Sequence, residues 1–319
     1  MFSERATANL HYIQRMFPFL DQAVLKRIKA FGSQPPWPHD VVLPFAEWKQ
    51  LLTGMLPDLP FLEKAMLAER AVAVGTWQFT RCVYRFEPLL MSALSATRLP
   101  DIIPLRVLRH LPDPCPYIIL DSFTPLRGMY CYLDFNTSKG AWELRVYLDD
   151  ISHNHSCIRI ELTEGLTIRE AVDPSVRRVI ADASIPETLR ESLLKSVSVL
   201  DISGALTHLA YLVLPLILYL CQPYPDIEDK NGVPVAPLRS RSSLVDSLHL
   251  TGTVEDDKPV VYNVGRQMAP KIASLVEKKK AQSSLEVHPS YWIPHKSRYG
   301  DRELEYLWVP PEERSVRPL

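Results

Sequence analysis

The chain has 319 residues, 46% hydrophobic and 23% charged, with a net charge of −1. It has apolar content enough for a sizeable buried core and too little net charge for a disordered or globally polyanion-binding chain. Five widely spaced cysteines without a Cys-x-x-Cys pair indicate neither a disulfide framework nor a thiolate metal site, and 28 prolines against 11 glycines argue against glycine-rich phosphate loops.

The first hundred residues carry helical spacing, with apolar residues every three or four positions in 7–19, 20–31, 45–56, 61–74 and 77–86. Charges scattered from Glu4 to Lys29 leave no apolar signal core, so a cytoplasmic protein is expected. After a proline-rich stretch at 99–116, the texture turns to short β-branched and aromatic segments at 117–120, 129–135, 142–148 and 157–162. Turn chemistry at 136–140 and 149–154 separates them, which predicts an antiparallel meander. Helical patterns return at 167–172 and 186–199, where Thr188 and Glu191 suit a first turn.

Leu206 to Cys221 is uncharged over its whole length, yet it is shorter than the roughly 20 apolar residues of a bilayer span and lacks a basic flank. It is expected to be a core helix, kinked or restarted at Pro215. Residues 222–259, with Pro223, Pro225, Pro234, Pro237 and acids at 255–257, predict an exposed connection. A strand at 260–264 leading through Gly265 into a helix from Arg266 to Lys280, a loop, and a strand at 303–309 close the chain. The fold class is α+β, with an N-terminal helical layer, a central antiparallel sheet packed by helices and a C-terminal strand-helix-loop-strand. The expected divisions are 1–105, 106–222, a linker at 223–259 and 260–319.

That final loop concentrates charge. Between Arg266 and Arg302 stand eight Lys or Arg against Glu277, Glu286 and Asp301, a local surplus of five positive charges. Cations interleaved with aromatics suit a polyanion or an extended peptide. Trp292 and Tyr299 are candidates for stacking; Arg266, Lys296 and Arg298 for phosphate or carboxylate contact; His288 and His295 for charge that changes near neutrality. The alternatives are a solvated charged tail with Trp292 packed into the core. No metal or cofactor is expected: His288 and His295 fit no zinc spacing, and His153, Asn154 and His155 lie in a polar turn. The acid pairs Asp149–Asp150 and Asp256–Asp257 also occupy turn-like contexts and receive no catalytic role. Nucleophile-elbow, zincin and P-loop motifs are missing, so a binding protein is favoured over an enzyme.

The strings at 111–118 (LPDPCPYI), 214–227 (LPLILYLCQPYPDI), 261–268 (VYNVGRQM) and the ending from His288 onward resemble the second family of type V-A anti-CRISPR proteins. Phages and other mobile elements use these proteins against the RNA-guided effector nuclease of type V-A systems. The resemblance runs from about Trp77 to Val309; Tyr291, Ile293 and Pro294 stand where the family is richer in His and Arg. It implies a protein that recognises the nascent N-terminal peptide of the effector and provokes loss of its mRNA, with mRNA or ribosome as further partners and no membrane. The residues themselves leave open a ribonuclease in which His288 or His295 acts as general base beside Lys296 or Arg298.

Overall fold

The computed structural model describes residues 3–31, 35–38, 40–56, 58–59, 61–100, 102–121, 126–150, 156–172, 197–235, 258–282, 286–296 and 304–313. Four helices open the chain: α1 (Ser3–Met16), α2 (Leu20–Phe31), α3 (Phe45–Thr53) and α4 (Phe61–Trp77). They follow the predicted spacing, and Leu20, Val24 and Ile28 of α2 form its buried stripe. The helical expectation for 77–86 fails after Trp77. A tight turn carries Arg81 at φ 51°, and β1 (Cys82–Phe86) follows as a strand. Five residues joined to a long apolar helix offer too short a pattern to separate period two from period 3.6.

Next come α5 (Pro88–Ala96) and a 3₁₀ helix (Leu105–His110) inside the proline-rich stretch. The strands β2 (Tyr117–Ile119), β3 (Leu126–Asn136), β4 (Ala141–Asp150) and β5 (Ser156–Glu161) then pair in succession as the predicted antiparallel meander. Thr167 and Glu170 cap the short α6 (Ile168–Val172) reciprocally, each side chain accepting from the other's backbone N–H at 3.2 and 2.9 Å. The expected helix at 186–199 lies outside the described residues up to Val197, where α7 (Val197–Cys221) begins. This helix continues through Pro215 and buries Val213 to Cys221; no helix among the described residues is long and apolar enough to cross a membrane.

The sheet extends past the meander. Its seven strands lie in the order β5-β4-β3-β2-β1-β7-β6, with β6 (Ile227–Glu228) and β7 (Val260–Val264) at the far side. β1 is parallel to both β2 and β7, so a parallel centre joins two antiparallel flanks. The stretch expected as an exposed connection therefore begins inside the sheet, at β6. One face of the sheet meets α1, α3 and α4, as where Trp77 packs on Tyr130 with centroids 6.0 Å apart. The other meets α5, the 3₁₀ helix, α6 and α7, as where Phe86 packs on Tyr219 at 6.0 Å. Sheet residues thus alternate between two covered faces, which is why β3 and β4 are buried almost along their whole length, charged residues included.

Gly265, after β7, has φ +90° and a Cβ there would collide with Leu90 of α5. It turns the chain into α8 (Met268–Ala281). The first turn of α8 is satisfied by Asp226, whose Oδ2 accepts from the backbone N–H of Gln267 (2.8 Å) and Met268 (2.9 Å). The final segments are β8 (Val287–His288), β9 (Tyr291–Lys296), β10 (Leu304–Val309) and β11 (Glu312–Glu313).

Candidate functional site

The basic and aromatic stretch predicted as a loop is instead a two-stranded antiparallel ribbon. β9 pairs with β10 and β8 with β11, interrupted where Pro289 and Pro310 cannot donate to a ladder. Pro294 within β9 and the short segments hid this strand pattern from the sequence. On one side of the ribbon Trp292 faces Trp308 across the strands, and both are 6% exposed. Trp308 packs edge-on to Tyr219 of α7, with centroids 5.9 Å apart. Its indole Nε1 donates to Thr97 Oγ1 at 3.0 Å, and its backbone N–H donates to Gln222 Oε1 at 3.3 Å. Thr97 Oγ1 and Ser290 Oγ lie 2.6 Å apart, so a chain of hydroxyls closes the base of the ribbon onto the end of α5.

Trp292 is thus packed within the ribbon with little of its ring exposed. Arg266 stands about half exposed, its Nε 4.0 Å from Glu87 Oε1. His288 is exposed and pairs in register with Glu312. His295 and Lys296 end β9 opposite Glu305 and Leu304, with side chains outside the description, and Arg298 and Tyr299 lie outside the described residues. The fold brings Trp292, His295 and Lys296 onto one strand, while Arg266 belongs to the turn before α8. The adjoining cations are in solvent: Lys271, Lys278, Lys279 and Lys280 are all exposed on α8. Lys278 Nζ meets Glu313 Oε2 at 2.9 Å, tying the end of α8 to β11, and Lys280 meets Glu277 at 3.0 Å.

Three buried polar clusters escaped the sequence. Asp149, expected in a solvated turn, is wholly buried near the end of β4. It accepts from Arg5 Nε and Nη2 (both 3.2 Å), Asn9 Nδ2 (3.0 Å) and the Tyr117 hydroxyl (3.1 Å). Its register partner on β3 is Gly128, where a Cβ would collide with the Tyr117 hydroxyl; glycine makes the approach possible. The hydrogen bond to Asp149 raises the Arg5 pKa, and burial holds Tyr117 and Tyr130 well above the usual phenol range. The signal for this cluster, an acid 144 residues from its cation, has no local pattern.

In the second cluster Arg145 spreads its guanidinium over Asp134 (2.8 Å), Glu69 (2.9 Å) and Glu143 (3.1 Å) and stacks on Phe45 at 3.9 Å. Asp134 also accepts the Phe45 backbone N–H at 2.8 Å, fastening the start of α3 to β3. Both clusters are saturated with partners and tie the N-terminal helices to the sheet; their role is structural. A third, on the opposite face, joins the Tyr84 hydroxyl to Asp113, 3% exposed, beside Cys82 and Tyr262. Four of the five cysteines are buried, and burial raises the Cys82, Cys115 and Cys131 thiols far from reactive thiolates. Among the described residues no group of three metal-ligating side chains converges; the His153–His155 turn and the Asp256–Asp257 pair lie outside them.

Compared with known proteins, residues 84–311 match the family model described as AcrVA2-like, the anti-CRISPR type V subtype A2 family. The match takes in the parallel centre of the sheet, α7 and the ribbon. The crystal structure of AcrVA2 is similar with a TM-score of 0.63 and 19% sequence identity, covering 95% of this chain and 97% of that one. At that identity the likeness is one of fold. No curated protein sequence matches.

Proposed function

The chain belongs to the AcrVA2-like family of type V-A anti-CRISPR proteins, and from that premise we propose that it lowers production of a type V-A effector nuclease by binding the effector's nascent N-terminal peptide and provoking loss of its mRNA. The observation that carries the reading is the family match over 84–311, which covers both the sheet centre and the ribbon. Peptide and message are joined on the ribosome, so such a protein needs a surface for each.

The exposed lysines of α8 and the cations of the ribbon supply the surface for RNA. Lys271, Lys278, Lys279 and Lys280 are exposed and offer charge to phosphates, as do the exposed Arg266 and His288; His295, Lys296, Arg298 and Tyr299 are the further contacts that the sequence suggests, by charge and stacking. Trp292 and Trp308 hold the ribbon in place, so that binding groups stand on a rigid support.

Co-expression with a type V-A effector tests the proposal. Effector protein and transcript should fall together, and recoding the effector's opening codons to other amino acids should restore both. Suppression that survives the recoding would sink peptide recognition. Cleavage of labelled RNA by the purified protein alone would favour the ribonuclease instead.

A further inference from the structure

Strand register sets three polar side chains in one row. Arg85 of β1 is the partner of Asn263 of β7, and Asn263 is the partner of Glu228 of β6. Paired residues project from the same face of a sheet. That face is opposite to the one where Phe86 and Val264 pack, since successive residues alternate.

Each member of the row is unusual for its place. β1 is a central strand with four buried residues, and Arg85 is its one exposed position, so the sheet is open to solvent there. Asn263 is only 7% exposed, yet its carboxamide has no hydrogen-bond partner among the described residues and its polar atoms still reach solvent. Because those atoms reach solvent, water satisfies the carboxamide in the free protein, and a ligand's amide could take that water's place. Glu228, 9% exposed, is oriented by Gln267, whose Nε2 donates to Oε1 at 3.1 Å. Its Oε2 is without a hydrogen bond among the described residues. Val83 of β1 and Ile119 of β2, both buried, give the row an apolar border.

The sequence of functions along the row is donor, donor plus acceptor, acceptor. A guanidinium offers N–H groups, a carboxamide offers both N–H and C=O, and a carboxylate only accepts. The backbone of an extended peptide presents the complement: a carbonyl for Arg85, an amide unit for Asn263 and an N–H for Glu228. Strands stand ~4.8 Å apart, so the row is about 10 Å long, close to three extended residues at about 3.3 Å each. A phosphate chain fits poorly, because Glu228 would repel it at one end.

We propose that the Arg85–Asn263–Glu228 row binds an extended peptide through its backbone and is the docking site of the nascent effector segment. This assignment rests on the peptide-recognition reading above. It locates the peptide on the sheet face and leaves the cations of α8 and the ribbon for RNA.

The test uses the full-length protein and a fluorescent synthetic peptide carrying the opening residues of a type V-A effector, read by anisotropy. The unaltered protein should bind, and Arg85→Glu, Asn263→Leu and Glu228→Gln should each weaken binding about tenfold or more, the worth of one good hydrogen bond. Arg85 is exposed, so Arg85→Glu should keep the melting temperature unchanged even if Asn263→Leu fails to fold. Folded Arg85→Glu and Glu228→Gln proteins that bind like the unaltered one would overturn the site and leave peptide recognition standing. An unaltered protein that ignores the peptide would overturn both.

Discussion

In the sheet body Arg145 is 6% exposed and meets three carboxylates within 3.1 Å, whereas in the C-terminal region Lys271, Lys278, Lys279 and Lys280 all stand in solvent. The two regions carry similar charged residues and use them oppositely. A buried guanidinium must have every partner in place, because an uncompensated ion in the interior is costly. An exposed ammonium gains little from its neighbours, since water already solvates it, and stays available to a polyanion. The anchoring differs in the same sense. Ion pairs and phenols fasten the N-terminal helices to the sheet; the ribbon is held by Trp292, Trp308 and a short chain of hydroxyls.

The strongest way to break the contrast is Arg145→Ala. It strands Asp134 and Glu143 in the interior and should cost about 3–5 kcal/mol of stability in chemical denaturation. A loss below about 1 kcal/mol would mean that water already reaches the cluster, and body and surface charges would no longer differ in kind.

Alkaline titration sharpens it further. Burial raises Tyr117, Tyr130 and Tyr132 well above the ordinary phenol range, while Tyr306 of the ribbon is raised less. A group with a raised folded-state pKa contributes stability that is fully present below its unfolded value, about 10 for tyrosine, and lost as pH rises beyond it. The melting temperature should therefore fall steeply above about pH 10, with phenolate absorbance appearing only on unfolding. Smooth phenolate formation in the folded protein would show the tyrosines to be solvent-accessible.

Trp308→Phe gives the smallest change. It keeps most of the ring contact with Tyr219 and removes the hydrogen bond to Thr97, for a loss of about 1–2 kcal/mol. The effect should be local, with hydrogen exchange rising in β9 and β10 and remaining unchanged in β3 and β4. Equal exchange in both would mean that the ribbon and the body unfold as one unit.

Periodicity and turn chemistry alone gave α2, the β2–β5 meander, β7, α8 and β10, because in each the apolar pattern is long enough or its boundary marked. Gly265 is legible for the same reason, being a glycine between a strand pattern and a helix pattern. The resemblance carried by four short strings reached the family. The sequence also showed that cations crowd the last sixty residues.

Only the tertiary structure decided where those features stand. β1 is five residues whose parallel neighbours β2 and β7 lie about 35 and 180 positions away, and no local pattern encodes such pairing. Asp149 reads as a turn acid until Arg5 and Asn9 arrive from the opposite end of the chain. Trp292 reads equally as a stacking ring or a packed one until its pairing with Trp308 and its burial are seen. The Arg85–Asn263–Glu228 row exists only through register across three strands. Local pattern reports which residues seek burial; which partners meet them there is settled by contacts between distant segments, whose energies no window of the sequence contains.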